Sequence, residues 1–362
     1  MTEEKNKILE VRDLVVKFKV RNTELTAIRG IDLDLYEGEV LALVGESGSG
    51  KSVLTKTFTG MLESNGYIPQ GTIIYRGEEL QNLTSNRQWL KYRGKELSTI
   101  FQDPMTSLNP VRTIGSQITE VITKHRKVSA SEAKKIAIDL MDRVGIRNPE
   151  KRFNDYPFEY SGGMRQRIVI AIALACRPRV LICDEPTTAL DVTIQAQILR
   201  LLKDLQKEYE FTIIFITHDL GVVAQIADRV AVMYAGQIIE TGSVEDIFYD
   251  PRHPYTWALL SSLPQLSNSE EDLYSIAGTP PSLYTTIHGD AFAPRSPYAM
   301  QVDYEVEPPM FKVSEGHYAK TWLLDPRAPE CEKPEIIHNL HHKLEAVHGT
   351  DAALREETDH DE

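Results

Sequence analysis

Gly45, Glu46, Ser47, Gly48, Ser49, Gly50, Lys51 and Ser52 form an unbroken G-x4-G-K-S run directly after the apolar stretch Val40–Val44. That order has a chemical meaning. Glycines let several backbone N–H groups converge on one anion, and a helix starting at the same point adds the positive end of its dipole. Lys51 supplies a further positive charge for terminal phosphates. Ser52 offers a hydroxyl, the hard oxygen donor that Mg²⁺ prefers.

Further polar residues follow other apolar runs. Val180–Cys183 leads into Asp184-Glu185-Pro186, and a carboxylate at the end of a parallel strand lies where open α/β sheets bind ligands. Asp184 is therefore placed for Mg²⁺, and Glu185 for taking a proton from an attacking water. Phe211–Ile216 leads into Thr217-His218-Asp219, and Thr99-Ile100-Phe101 into Gln102. Ser161, Gly162 and Gly163 precede the apolar run Ile168–Ala175, which makes a second helix N-terminus with exposed N–H groups. Taken singly, these residues read as a solvated loop start, a structural histidine, a surface glutamine and a capping turn. Asp191 alone reads as the N-cap of the helix after it.

The elements that must position these groups are legible too. Continuous apolar runs mark parallel strands covered on both faces, which gives an α/β fold. Ile194, Ile198, Leu201, Leu202 and Leu205 recur at helical spacing, as in a crossover between two such strands. Residues 8–34 read as an antiparallel β subdomain, and residues 81–160 as a helical insertion, with helical patterns at Ile114–His125 and Ser131–Val144. Ser129 or Ser131 is the N-cap of the second. After Pro251, closely spaced prolines predict a small, loop-rich second domain over 251–340. The acidic tail, 341–362, reads as solvated.

Tyr160-Ser-Gly-Gly-Met-Arg-Gln-Arg167 resembles the signature of ATP-binding cassette (ABC) ATPases, and the phosphate-loop motif, Gln102, Asp184-Glu185, Ala189-Leu190-Asp191 and His218 stand in that family's order over residues 8–250. The resemblance implies a P-loop NTPase fold that binds and hydrolyses ATP with Mg²⁺. It implies that Ser161, Gly162, Gly163 and Met164 close on the nucleotide of a partner subunit, that Asp191 lies at the dimer interface, and that Gln102 and His218 face Mg²⁺ or water and the γ-phosphate. An aromatic that stacks on adenine is also expected. Phe18 is the candidate, although Val16 and Phe18 on one strand face suit a core equally.

Asp250-Pro-Arg-His-Pro-Tyr-Thr256 and the Pro-rich remainder resemble the C-terminal extension of oligopeptide and dipeptide importer ATPases, those of Gram-positive bacteria above all. That implies a paralogous ATPase partner, two membrane permease subunits and an extracellular peptide-binding lipoprotein, with this chain at the cytoplasmic face of the membrane. Many such relatives carry an iron–sulfur cluster on four cysteines. Here Asp290, Ser296, Asp303 and Thr321 fall at those positions, so the scaffold is expected without the cluster. His338, His341 and His342 read as a polar helix face rather than a metal site.

Composition limits the rivals. The 362 residues hold 40 Lys and Arg against 53 Asp and Glu, a net charge of −13 that disfavours nucleic acid as a general partner. No apolar run approaches the ~20 residues of a membrane span, and the charged start lacks a signal-peptide core. Cys176, Cys183 and Cys331 suggest no disulfide framework and fit a reducing compartment. A chromosome-type cassette would insert a long coiled coil between Lys51 and Ser161, a translation-type chain would hold two phosphate loops, and a non-hydrolysing regulatory module would not need Glu185, Gln102 and His218. An importer of dipeptides, nickel or another solute stays open, because the ATPase does not touch cargo.

Overall fold

The computed structural model describes residues 6–103, 107–188, 190–262, 276, 278–334 and 337. Ala189, the acidic tail and His338, His341 and His342 lie outside them. Two sheets organise the described chain. Strands β1 (Lys7–Val20), β2 (Thr23–Tyr36), β4 (Gly66–Tyr75) and β5 (Glu78–Glu79) form an antiparallel sheet in the order β2-β1-β4-β5. This is the antiparallel layer expected from residues 8–34, extended by β4 and β5.

The second sheet carries the chemistry. Strands β3 (Val40–Val44), β6 (Leu97–Ile100), β7 (Val180–Asp184), β8 (Thr212–Thr217) and β9 (Arg229–Tyr234) run parallel in the order β9-β3-β8-β7-β6. All of β3 and β8 is buried, as runs without alternation require. The register aligns the strand ends: Val44 faces Thr217, Ile216 faces Asp184, and Cys183 faces Ile100. The residues that follow these strands therefore emerge along one edge.

Helices cover the sheet. α1 (Lys51–Phe58) follows β3, while α2 (Ile114–His125) and α3 (Ala130–Arg143) pair as a helical hairpin. Ser129 accepts from the Glu132 N–H at 3.2 Å and is the cap of α3. α4 (Gly162–Leu174) is apolar on nearly every side and joins the core beneath α2 and α3. α5 (Val192–Tyr209) crosses from β7 to β8, burying Ile198, Leu199, Leu202 and Leu205. A short α6 (Leu220–Ile226) precedes β9.

Two boundaries differ from the sequence reading. Residues 81–160 are not wholly helical, because β6, which takes in Thr99-Ile100 of the short run before Gln102, lies inside them and pairs with β7. The described residues after Pro251 do not fold apart either. β10 (Gln237–Ser243) pairs with β9, and after α7 (Pro254–Ser261) the strands β11 (Phe311–Ser314) and β12 (His317–Ala319) extend the same sheet, with Glu240 opposite Ala319. Tyr255, Trp257, Phe292 and Ile337 share one core with Ala42, Val44, Val230 and Val232.

Candidate active site

The phosphate-loop residues leave β3 under tight steric control. At Gly45 φ is 147°, and a Cβ there would lie 2.1 Å from the Met233 carbonyl oxygen, so the backbone passes too close to β9 for any side chain. The β9–β10 turn also grips the loop, since Gly236 N–H donates to the Ser49 carbonyl at 2.9 Å. Lys51 folds back over the loop, its Nζ donating to the carbonyls of Gly45 (2.7 Å) and Glu46 (3.0 Å) and to Ser49 Oγ (3.3 Å). Burial pulls its pKa down, against the opposing pull of Glu185, Asp184 and Glu46. The charge thus rests on neutral oxygens that a phosphate would outbid.

The carboxylates converge on the same point from β7. Ser52 Oγ donates to Asp184 Oδ1 at 3.0 Å, and burial raises the Asp184 pKa, with that hydrogen bond opposing. Glu185 has a left-handed backbone, φ 48°, and its N–H donates to the Ile216 carbonyl at 3.0 Å. Gln102 Nε2 reaches Glu185 Oε2 at 2.9 Å, and His218 Nδ1 lies 3.4 Å from Oε1. Thr188 Oγ1 also donates to Oε2, at 3.1 Å. Sequence reasoning did not single out Thr188; its signal was the i+3 position in the turn that Glu185 opens. Lys51, Ser52, Gln102, Asp184, Glu185 and His218 are brought together, as the motif reading required.

Ser161, Gly162, Gly163, Met164 and Asp191 make a separate group. Ser161 Oγ caps α4 by accepting from Met164 N–H at 3.3 Å, and Asp191 caps α5 by accepting from Ile194 N–H at 3.0 Å. The two helix starts touch, because a Cβ on Gly163 would meet Ile194 Cγ2 at 2.6 Å. Both capping roles that these residues have by type are realised.

Phe18 is a correction. The residue is 8% exposed, sits in the core between the sheets and packs on Gly66, where a Cβ would lie 2.7 Å from ring carbon Cε1. Little of the residue is exposed for a stacking adenine. Strand alternation placed Val16 and Phe18 on one face, and that face is the inward one.

The chemistry can hold Mg²⁺. Ser52 and Asp184 are adjacent hard oxygen donors, and such an ion typically takes only one or two protein ligands beside substrate phosphates and waters. An iron–sulfur cluster does not fit. The side-chain oxygens of Asp290, Ser296, Asp303 and Thr321 accept from the N–H groups of Phe292, Tyr298, Met300 and Leu323, in place of any thiolate.

The chain is similar to known proteins in both sequence and fold. Residues 28–188 match the family model described as ABC transporter, and residues 239–302 the model described as oligopeptide/dipeptide transporter, C-terminal region. The chain is 71% identical to the oligopeptide transport ATP-binding protein AmiE of Streptococcus pneumoniae, over 95% of this chain and 97% of that one. It is 59% identical to the oligopeptide transport ATP-binding protein OppD of Bacillus subtilis, over 93% and 95%. Among solved structures, CbiO1 of Clostridium perfringens, part of an ABC transporter complex, is similar with a TM-score of 0.59 and 29% identity over 68% of this chain and 92% of that one. A dimeric ATP-binding cassette in a post-hydrolysis state with ADP and Pi has a TM-score of 0.58 at 24% identity, over 65% and 98%, and shares the fold.

Proposed function

We propose a division of labour for a chain that belongs to the ABC transporter family and is the ATP-hydrolysing subunit of an oligopeptide importer. The observation that carries it is the meeting of Gln102, Asp184, Glu185 and His218 beside the phosphate loop, at the carboxyl ends of four adjacent parallel strands. The triphosphate lies against the N–H groups of residues 45–52, and Lys51 leaves the loop carbonyls to meet it. Ser52 and Asp184 would hold Mg²⁺, which when bound would offset the negative charge of the triphosphate. Glu185 orients the attacking water and takes its proton. His218 supports Glu185 and the developing charge, and Gln102 holds the other carboxylate oxygen. Catalysis is positioning and electrostatics, as expected for phosphoryl transfer.

Ser161–Met164 close on a nucleotide held by a paralogous ATPase chain, and Asp191 lies at that interface. Two permease subunits and a peptide-binding lipoprotein complete the importer, with this chain at the cytoplasmic face of the membrane. No helix among the described residues is long and apolar enough to cross a membrane, in keeping with a path supplied by other chains. Oligopeptide cargo is favoured over dipeptide because AmiE, at 71% identity, carries the former name, whereas the Lactococcus lactis dipeptide transport protein DppD stands at 56%. Reconstituted importer should take up peptide only with hydrolysable ATP, and uptake that persists with Glu185→Gln would refute the assignment. Anaerobically purified chain should hold no stoichiometric iron or sulfide.

A further inference from the structure

Glu46 is the second residue of the phosphate loop, and its partners come from the far end of the chain. Arg295 forms a two-pronged ion pair with it, Nη1 to Oε2 at 2.8 Å and Nη2 to Oε1 at 3.1 Å. Tyr255 accepts the Glu46 backbone N–H on its hydroxyl at 2.8 Å. The Glu46 carbonyl in turn receives Lys51 Nζ. One residue is thus held at its side chain, its N–H and its carbonyl, and the third hold is the lysine that must meet the triphosphate.

The gripping residues are buried and closely packed. The Arg295 side chain is 4% exposed, donates to the Tyr234 hydroxyl at 3.1 Å and lies over the Tyr234 and Phe292 rings. Tyr255 packs against the same two rings. An aromatic block between β9, α7 and the turn at Ala293–Arg295 therefore fixes both donor and acceptor. A guanidinium fork on a carboxylate is directional as well as neutralising. Without it, a carboxylate would stand in the anion cradle and oppose the charge it must accept.

We propose that Arg295 and Tyr255 are positioning residues for ATP: they neutralise Glu46 and fix its backbone, so that the C-terminal region sets the phosphate loop for the triphosphate. The inference rests on residues 45–52 being the nucleotide cradle. It also gives residues after Pro251 a part in the reaction, which packing alone would not.

The test uses the assembled importer, with ATP turnover measured against Mg-ATP concentration. Arg295→Met should raise KM about tenfold and leave kcat within about twofold, the signature of lost binding that ground and transition states share. Glu46→Gln combined with Arg295→Met removes both charges and should return KM to within about threefold of the parent. Tyr255→Phe, a near-isosteric change that leaves the Glu46 N–H without its acceptor, should raise KM about threefold. An Arg295→Met KM within twofold of the parent, or a double variant no better than Arg295→Met alone, overturns the proposal. Should Arg295→Met fail to assemble, an unchanged KM for Tyr255→Phe overturns it instead. Glu185→Gln in the same assay separates the two levels: if it turns over like the parent, the reading of the site itself fails, whatever Arg295 does.

Discussion

Gln102 Nε2 and Thr188 Oγ1 both donate to Glu185 Oε2, at 2.9 and 3.1 Å, while Oε1 faces His218. The carboxylate is therefore divided: one oxygen accepts from two donors, and the other, which the proposed mechanism uses for proton transfer, faces His218. Gln102 stands at the end of β6 and Glu185 at the end of β7, so sheet register sets this contact.

Removing the acceptor of the proton should cost most. Glu185→Gln keeps shape and hydrogen bonding but loses basicity, and kcat should fall by about 10²–10⁴ with Mg-ATP still bound. Thr188→Val removes one holding bond, and kcat should fall about three- to tenfold with KM nearly unchanged. Steady-state hydrolysis with parallel nucleotide-binding titrations checks both. A Thr188→Val enzyme whose KM rises while kcat holds would place Thr188 in binding instead.

Lys51 carries a second prediction, because in this structure it is buried and its charge is served only by neutral oxygens and more distant carboxylates. Lys51→Met removes a desolvated ammonium and keeps the apolar stem. The unliganded chain should unfold within about 1 kcal/mol of the parent. ATP should no longer raise its melting temperature, whereas a binding-competent parent gains stability with ligand concentration. Thermal scans with and without Mg-ATP decide the matter.

The Ser52–Asp184 hydrogen bond makes a third. In this structure the two groups occupy each other. Chelation of Mg²⁺ should stop turnover and be fully reversed by adding it back. Asp184→Asn keeps an oxygen but loses the charge, and should raise the Mg²⁺ concentration for half-maximal rate about tenfold or more. A Mg²⁺ dependence unchanged in Asp184→Asn would remove Asp184 from the metal site.

Lys51, Asp184, Glu185 and His218, the residues proposed for catalysis, were legible because each follows a continuous apolar run that reads as a buried strand, and a strand end fixes where the next side chains emerge. Ser161 and Asp191 were legible by type, as caps. Phe18 was ambiguous because alternation gives a face but not which face is inward; Gly66, opposite it in β4, resolves that by leaving room for the ring. The join of the C-terminal residues to the sheet had no local signal, since β11 and β12 are four and three residues long and β11 is exposed on alternate residues. Arg295 and Glu46 lie 249 positions apart, and nothing in either neighbourhood announces the pair.

A last prediction concerns pH. Asp290 is mostly buried, and burial raises its pKa from 3.8 to about 6, while burial lowers His253 from 6.5 to about 4. Their Oδ2 and Nε2 atoms are 3.9 Å apart. Between pH 3.8 and about 6 the folded chain holds the Asp290 proton more tightly than the unfolded chain, so this group's contribution to stability falls as pH rises through that window. His253 does the opposite between about 4 and 6.5, where the unfolded chain binds the proton and stability rises with pH. The two slopes oppose each other, and this pair adds little net pH dependence in the parent. Asp290→Asn keeps an oxygen for the Phe292 N–H and removes the buried charge. At pH 7.5 the variant should be more stable than the parent by about 1–3 kcal/mol, and at pH 4.5 the gain should fall to about a third of that. Urea unfolding of both proteins at the two pH values measures this directly, and an equal gain at both would show that burial of the Asp290 charge is not its source.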